Sequence, residues 1–245
     1  MKTLAIDTSN QALSVAVLDD ENLLAQTTLT VGKNHSVTLM PTIQMLMEQS
    51  KLKPAQLDRI VVAKGPGSYT GLRIGVTAAK TLAFALDKQL VGVSSLELLA
   101  ANFDANSAQE RLLVPLFDAR RENVFAGVYQ YQDEHLEVKM TDRHVSLAAL
   151  CQEVKDKNPC FIGQDVLNLQ EQITALCAGS KISFANGWFN YPQAYVLGRL
   201  GQQKQPVDIQ TFVPSYLRLT QAEVQWLEKN PDKGIVDNGT YVEKI

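Results

Sequence analysis

The chain has 245 residues, 45% of them hydrophobic and 20% charged, with a formal net charge of −3. Its pI near 5.7 gives no electrostatic case for nucleic-acid binding by the chain as a whole, although local basic patches stay open. No run of about 18 apolar residues occurs, so no membrane span is expected. An odd count of 3 cysteines, with no C-x-x-C pair and no charged-then-apolar leader, points to a reducing compartment.

In chain order, strands are expected at residues 2–7, 12–18 and 23–30, a helix at 36–51 and a strand at 59–63. A helix at 71–87, a strand at 90–93 and a helix at 95–102 follow. The polar stretch Asp104 to Glu110 then opens a second series. Its strands are expected at 112–117, 123–131 and 136–143, followed by a helix at 146–155 and a strand at 160–163. A helix at 165–177, a strand at 181–184 and a helix at 191–203 complete it. Period-2 alternation marks the hairpin strands, and the 3.6-residue period marks the helices.

The two series are copies of one pattern. Leu4-Ala5-Ile6-Asp7 aligns with Pro115-Leu116-Phe117-Asp118, and Leu13, Val15 and Val17 align with Val124, Ala126 and Val128. Each half reads βββαβαβα. The right-handed crossover rule folds such a unit into a five-stranded mixed sheet with helices on its faces. We therefore expect an α/β protein with an N-terminal domain at 1–106, a C-terminal domain at 107–220 and a tail at 221–245. The tail's role is not legible, and within it Asn230-Pro231-Asp232-Lys233-Gly234 reads as a turn.

Gly65-Pro66-Gly67-Ser68-Tyr69-Thr70-Gly71-Leu72-Arg73-Ile74-Gly75 is a glycine-rich turn from a buried strand into a helix. Such turns aim backbone N–H groups at anions and let backbones approach closely. It has neither the Walker A ending nor the dinucleotide spacing. Ser68 and Thr70 read as helix-start residues, and Ser68 is also a candidate anion or partner contact. Arg73 is poorly placed for the helix dipole and is a candidate for pairing with an acid or an anion, or for a surface ion pair. Asp7 with Thr8 and Ser9, and Asp118 in the second half, have two readings: turn formers, or carboxylates that hold a nucleotide or Mg²⁺ through water. The second turn, Ala119-Arg120-Arg121-Glu122, is bulky for a phosphate cradle, and Arg120 and Arg121 are candidate anion or partner contacts.

No catalytic set assembles. A helix-borne metal pair needs His-x-x-x-His, but four residues after His35 stands Leu39. His135 and His144 lie on polar strand edges, so no metal site is expected. Ser68 is one place away from a nucleophile elbow, and no His is tied to it. Cys151, Cys160 and Cys177 read as small buried hydrophobes.

The first helix carries Val37, Leu39, Met40, Ile43, Met45, Leu46 and Met47, more than one core-facing stripe needs. Its three methionines make a repackable surface, and Pro41 is expected near the first turn. The second helix carries Gly71, Gly75, Ala78, Ala79 and Ala83, which admit a close neighbour. Two explanations stand, burial within the chain's own domain or a partner interface. The interface residues are then His35, Met40, Ile43, Met47, Gly71, Gly75, Ala78 and Ala79.

The duplicated βββαβαβα unit resembles the ribonuclease H-like domains of the actin/sugar kinase/Hsp70 superfamily, in which a nucleotide lies between the halves. Ile6-Asp7-Thr8-Ser9, Asn34-His35-Ser36, the Gly65–Arg73 turn, Asp118-Ala119-Arg120-Arg121 and Pro214-Ser215-Tyr216-Leu217-Arg218 resemble the TsaB (YeaZ) family over about residues 1–220. The resemblance implies a non-catalytic scaffold and activator in tRNA N6-threonylcarbamoyladenosine synthesis in the cytoplasm. It implies pairing through the N-terminal helices with a TsaD-like catalytic paralogue, binding of the pair by a TsaE-like ATPase, and a homodimer when alone. tRNA would be reached through the complex, no membrane is involved, and ATP and Mg²⁺ would be used by the partner, with no cofactor in the isolated chain. The rivals are an active ATPase or phosphotransferase of the same fold, a metallopeptidase-like protein, and a bare homodimeric binding module.

Overall fold

The computed structural model describes residues 1–30, 34–108 and 110–218. The tail expected at 221–245 and the turn within it lie outside the described residues. The first half runs β1 (Lys2–Asp7), β2 (Leu13–Asp19), β3 (Asn22–Leu29), α1 (His35–Gln49), β4 (Arg59–Gly65), α2 (Tyr69–Leu86), β5 (Gln89–Ser94) and α3 (Ser95–Ala100). A one-turn helix, α4 (Ala105–Ala108), leads to β6 (Leu112–Arg120), β7 (Asn123–Gln132), β8 (His135–Ser146) and α5 (Leu147–Val154). Then come β9 (Pro159–Ile162), α6 (Val166–Leu176), β10 (Ser183–Phe184) and α7 (Ala194–Gln202).

The duplication is present in the topology. One sheet has the order β3-β2-β1-β4-β5, and the other β10-β9-β6-β7-β8, the same order read in reverse. In each, the first three strands form antiparallel pairs and the last two add in parallel. The polar stretch 104–110 holds α4, which the sequence pattern does not predict. Its cap was legible: Asp104 Oδ1 accepts from Ser107 N at 2.7 Å, and Ser107 Oγ accepts from Asp104 N at 3.0 Å, a reciprocal pair of the capping-box kind. Pro41 lies in the second turn of α1 rather than near the first.

Alternation along β1 sends Leu4 and Ile6 to one face, against α1 and α2, and Ala5 to the other, against α3 and α7. The second sheet packs α5 and α6 on one face, and α3 on the other through Leu96, Leu99 and Ala100. α3 thus touches both sheets, and α7, late in the second half, lies on the first. Gly198 and Gly201 make this approach possible: added Cβ atoms there would stand 2.7 Å from Leu18 Cδ1 and 2.4 Å from Val61 Cγ1. The expected cut between 106 and 107 separates the sheets, while α7 crosses back over it. Between the halves, Ser94 Oγ and Tyr129 Oη both donate to the half-buried Asp142 carboxylate. Burial pushes that carboxyl above its ordinary range.

α7 is held at both ends by the first half. Ala194 N donates to Ser14 Oγ at 3.0 Å. At the other end, the buried Arg59 guanidinium donates to the carbonyls of Gly201, Gln202 and Lys204 at 2.7, 3.1 and 3.1 Å, a cation on the orphan carbonyls of a helix C-terminus. Arg59→Met is expected to lower the unfolding free energy by about 2–3 kcal/mol. Urea denaturation measures the loss, and amide exchange in α7 should accelerate with it.

Candidate functional site

The glycine turn between β4 and α2 is filled by the chain itself. Ser68 N donates to Ser9 O at 2.7 Å, and Thr8 Oγ1 donates to Gly71 O at 2.7 Å. Ser68 Oγ caps α2 by accepting from Gly71 N. The glycines are needed because the β1–β2 turn lies against them. An added Cβ would stand 2.1 Å from Ser9 O at Gly67, 2.1 Å from Thr8 O at Gly71 and 2.3 Å from Thr8 Oγ1 at Gly75. The turn that sequence pattern offers to an anion therefore receives Thr8 and Ser9. On its other side, a Cβ at Gly65 would stand 2.4 Å from Ser215 O.

Asp7 is 1% exposed and accepts from Ser9 N at 2.6 Å. Burial raises its pKa, against the pull of the Ser9 amide and hydroxyl and of nearby His35. His35, placed in the expected partner interface, turns inward: its Nε2 lies 2.8 Å from Asn10 O and ties the start of α1 to the same turn. Leu39 is 1% exposed and fills the core.

The second Asp turn differs. Asp118 is exposed and accepts from Arg120 N at 2.7 Å, while its own amide donates to Asp165 Oδ2 at 2.9 Å. Burial raises the pKa of Asp165 and the charge of Asp118 adds to it, with the Asp118 amide and the Asn10 side chain opposing. Asp165 and Asn10 thus join the two Asp turns, a link that sequence pattern does not reveal because the partners are far apart in the chain. Arg120, Arg121 and Glu122 all have left-handed φ, at 63°, 53° and 60°. Among the described residues no three His, Cys, Asp or Glu side chains group as metal ligands. The three cysteines are free and buried, and burial pushes Cys151 up to about 12.

The helices divide differently from the expected interface. The stripe Gly71, Gly75, Ala79 and Ala83 is buried within the first half, so the small residues serve the chain's own packing. Ile43 and Met47 are each 5% exposed and belong to the core. Met40 is 47% exposed and, with Leu39, Ile74, Ala78 and Leu82, walls an apolar groove of about 550 Å³ between α1 and α2. Arg73 also lines it. A second hollow of about 400 Å³ shares Met40 and Leu82 and reaches Ile43 and Met47. Val37 and Phe84 stand 66% and 68% exposed on the same two helices. Ile74 and Leu82, which the expected interface leaves out, stand four residues before and after Ala78 on the row of α2 next to the glycine stripe, a spacing the sequence carries.

Comparison with known proteins gives concordant matches. Residues 28–226 match the family described as "TsaD: tRNA N6-adenosine threonylcarbamoyltransferase". The tRNA threonylcarbamoyladenosine biosynthesis protein TsaB of Bacillus subtilis is 43% identical over 233 residues, 93% of this chain and 99% of that one. The protein of the same name from Escherichia coli is 33% identical over 135 residues, 55% of this chain and 57% of that one. The solved structure of YeaZ from Pseudomonas aeruginosa matches with TM-score 0.75 at 23% identity, covering 88% of this chain and 99% of that one, a likeness of fold.

Two substitutions test the filled turn. Gly71→Ala would ordinarily stabilise a helix, but against Thr8 O it is expected to destabilise by at least ~2 kcal/mol, read from urea denaturation. Asp7 has a raised pKa in the folded state, so its contribution to stability is present at low pH and lost as pH rises through the folded value. The Tm of Asp7→Asn relative to wild type should therefore be higher at pH 8 than at pH 4, and the opposite trend would show a carboxylate stabilised as an ion.

Proposed function

The chain belongs to the TsaB family, and from that premise we propose that it is a non-catalytic scaffold and activator subunit for tRNA N6-threonylcarbamoyladenosine synthesis. Its partner is a TsaD-like catalytic paralogue. The observation that carries the proposal is the α1–α2 surface, where Val37, Met40 and Phe84 stand exposed beside an apolar groove. Apolar surface left in water costs about 25 cal/mol per Å², and exposed apolar side chains on the two helices that wall an apolar groove suit a helical partner.

Support for the absence of catalysis comes from what occupies the chemistry-bearing positions. The glycine turn holds Thr8 and Ser9, His35 is tied to Asn10, and Leu39 is core. ATP and Mg²⁺ are then used by the partners, among them a TsaE-like ATPase that binds the pair, and the isolated chain needs no cofactor. A paralogue of the same fold can present an equivalent helix pair, so the surface also serves a homodimer when the chain is alone. tRNA is reached through the complex, in the cytoplasm. No helix among the described residues is long and apolar enough to cross a membrane.

Reconstitution tests this directly. The purified chain, the paralogue, the ATPase, ATP and a threonylcarbamoyl donor should together modify an unmodified tRNA transcript, and the chain alone should not. Met40→Glu changes an exposed side chain on the groove. It is expected to leave Tm within about 2 °C and to weaken capture of the paralogue at least tenfold, on the order of 1.4 kcal/mol. Product formation by the chain alone would sink the proposal, as would unimpaired capture by the folded variant.

A further inference from the structure

The chain has eight arginines, and they fall into two groups. Arg59 and Arg111 donate to main-chain carbonyls, and Arg143 and Arg199 pair with Glu153 and Glu21. The other four, Arg73, Arg120, Arg121 and Arg218, are set apart by exposure and, like Arg59 and Arg111, have no carboxylate partner among the described residues. These four lie along one strip. The Arg73 guanidinium stands 5.6 Å from the ring centre of Tyr69, and the Tyr69 and Tyr216 rings are 4.8 Å apart. Two residues on, Arg218 donates to Ala119 O at 3.0 Å, which places it against the β6–β7 hairpin at Arg120 and Arg121. All four arginines and Tyr69 are exposed.

The hairpin tip is strained where the charge is densest. Its three successive left-handed residues include both arginines, although Gly, Asn or Asp adopt that region at lower cost. Turn chemistry does not call for arginine there, and strain held at an exposed charged tip points to function.

We propose that this strip binds RNA, the arginines meeting phosphates and the exposed part of the Tyr69 ring, which Arg73 and Tyr216 hold in place, meeting an unpaired base. Arginines alone would suit any polyanion; their interleaving with a part-exposed aromatic ring favours a nucleic acid that offers both phosphate and base. The proposal rests on the reading of the chain as a subunit of a tRNA-modifying complex, and adds that the substrate RNA touches this subunit. Asp118 and Glu122 stand at the same hairpin, so the strip is narrow and binding by the isolated chain is expected to be weak and salt-sensitive.

Binding of a labelled unmodified tRNA transcript is measured across a salt series, with the isolated chain and with its complex with the paralogue. Arg120→Asn with Arg121→Asn removes two charges with a residue that tolerates positive φ. Affinity is expected to fall about tenfold, and the slope of log K against log[salt] by about 1.5, while capture of the paralogue is unchanged. Arg121→Lys in the otherwise wild-type chain keeps the charge and should keep most of the slope; it also serves if the double variant fails to fold by circular dichroism, when Arg121→Asn alone is compared with it. Unchanged RNA affinity and slope in a folded variant overturn the proposal and leave the partner reading standing. Lost capture of the paralogue with RNA binding intact makes the strip a protein interface and overturns it too. Poly-glutamate competing as well as RNA at matched charge shows attraction by charge alone and likewise overturns it. If the wild-type chain fails to capture the paralogue, the partner reading falls and the isolated chain's RNA binding decides the strip.

Discussion

The seating of one backbone turn inside another fixes the first half of this molecule. Thr8 and Ser9 press against Gly67, Gly71 and Gly75 at distances that admit no Cβ. Their polar groups take up Ser68 N and Gly71 O. That contact sets how close α2 comes to the β1–β2 turn. The turn in turn anchors α1, because Asn10 O holds His35. The groove between α1 and α2 is therefore the outer side of a joint whose inner side is the filled glycine turn. A glycine stripe is commonly taken as a place for a ligand or a partner; here it lets the chain close on itself, and the neighbouring row at Ile74, Ala78 and Leu82 lines the groove.

Duplication did not produce two equivalent halves. The sheets share strand order, but the first Asp turn is buried at Asp7, Thr8 and Ser9, and the second is exposed and carries three residues in the left-handed region. The first is held by glycines of its own half. The second is met by Asp165 through the Asp118 amide, and Asp165 in turn interacts with Asn10 of the first half. α3 and α7 extend the exchange, since α3 packs on both sheets and α7 is clamped by Ser14 and Arg59. The halves are thus held by packing and by the half-buried Asp142 with its donors Ser94 and Tyr129.

Local periodicity and the repeat of Leu4–Asp7 at Pro115–Asp118 were enough to place the ten strands and six of the seven helices found among the described residues. α4 was missed because one turn is too short for a period, although its Asp104–Ser107 cap is written in the sequence. The candidate surface was half legible. The first helix visibly carries more apolar residues than one face needs, but a helical wheel has no origin until the sheet is placed. Periodicity therefore groups Met40 with Ile43 and Met47, whereas α1 turns the last two inward and leaves Val37 and Met40 outside. The glycine stripe showed that something approaches closely; nothing local said that it was Thr8. Asp165, Asn10 and the Tyr69–Tyr216 contact join residues distant in sequence, and only the folded chain brings them together.

Arg73 connects the two outward-facing features. It sits in the first turns of α2, where the helix dipole disfavours a cation, yet among the described residues no carboxylate pairs with it to offset that cost, and it rests over the ring of Tyr69. The same side chain lines the apolar groove. Tyr69 in turn meets Tyr216, and the chain from there leads Arg218 to the β6–β7 hairpin. The apolar surface and the arginine strip are therefore continuous, meeting at the N-terminal end of α2. A partner seated along the groove would border the strip, and an anionic chain lying on the strip would cross from this subunit toward that partner. An arginine left without a carboxylate at an unfavourable helix end is costly in the isolated chain, and a phosphate at that junction would supply the missing charge.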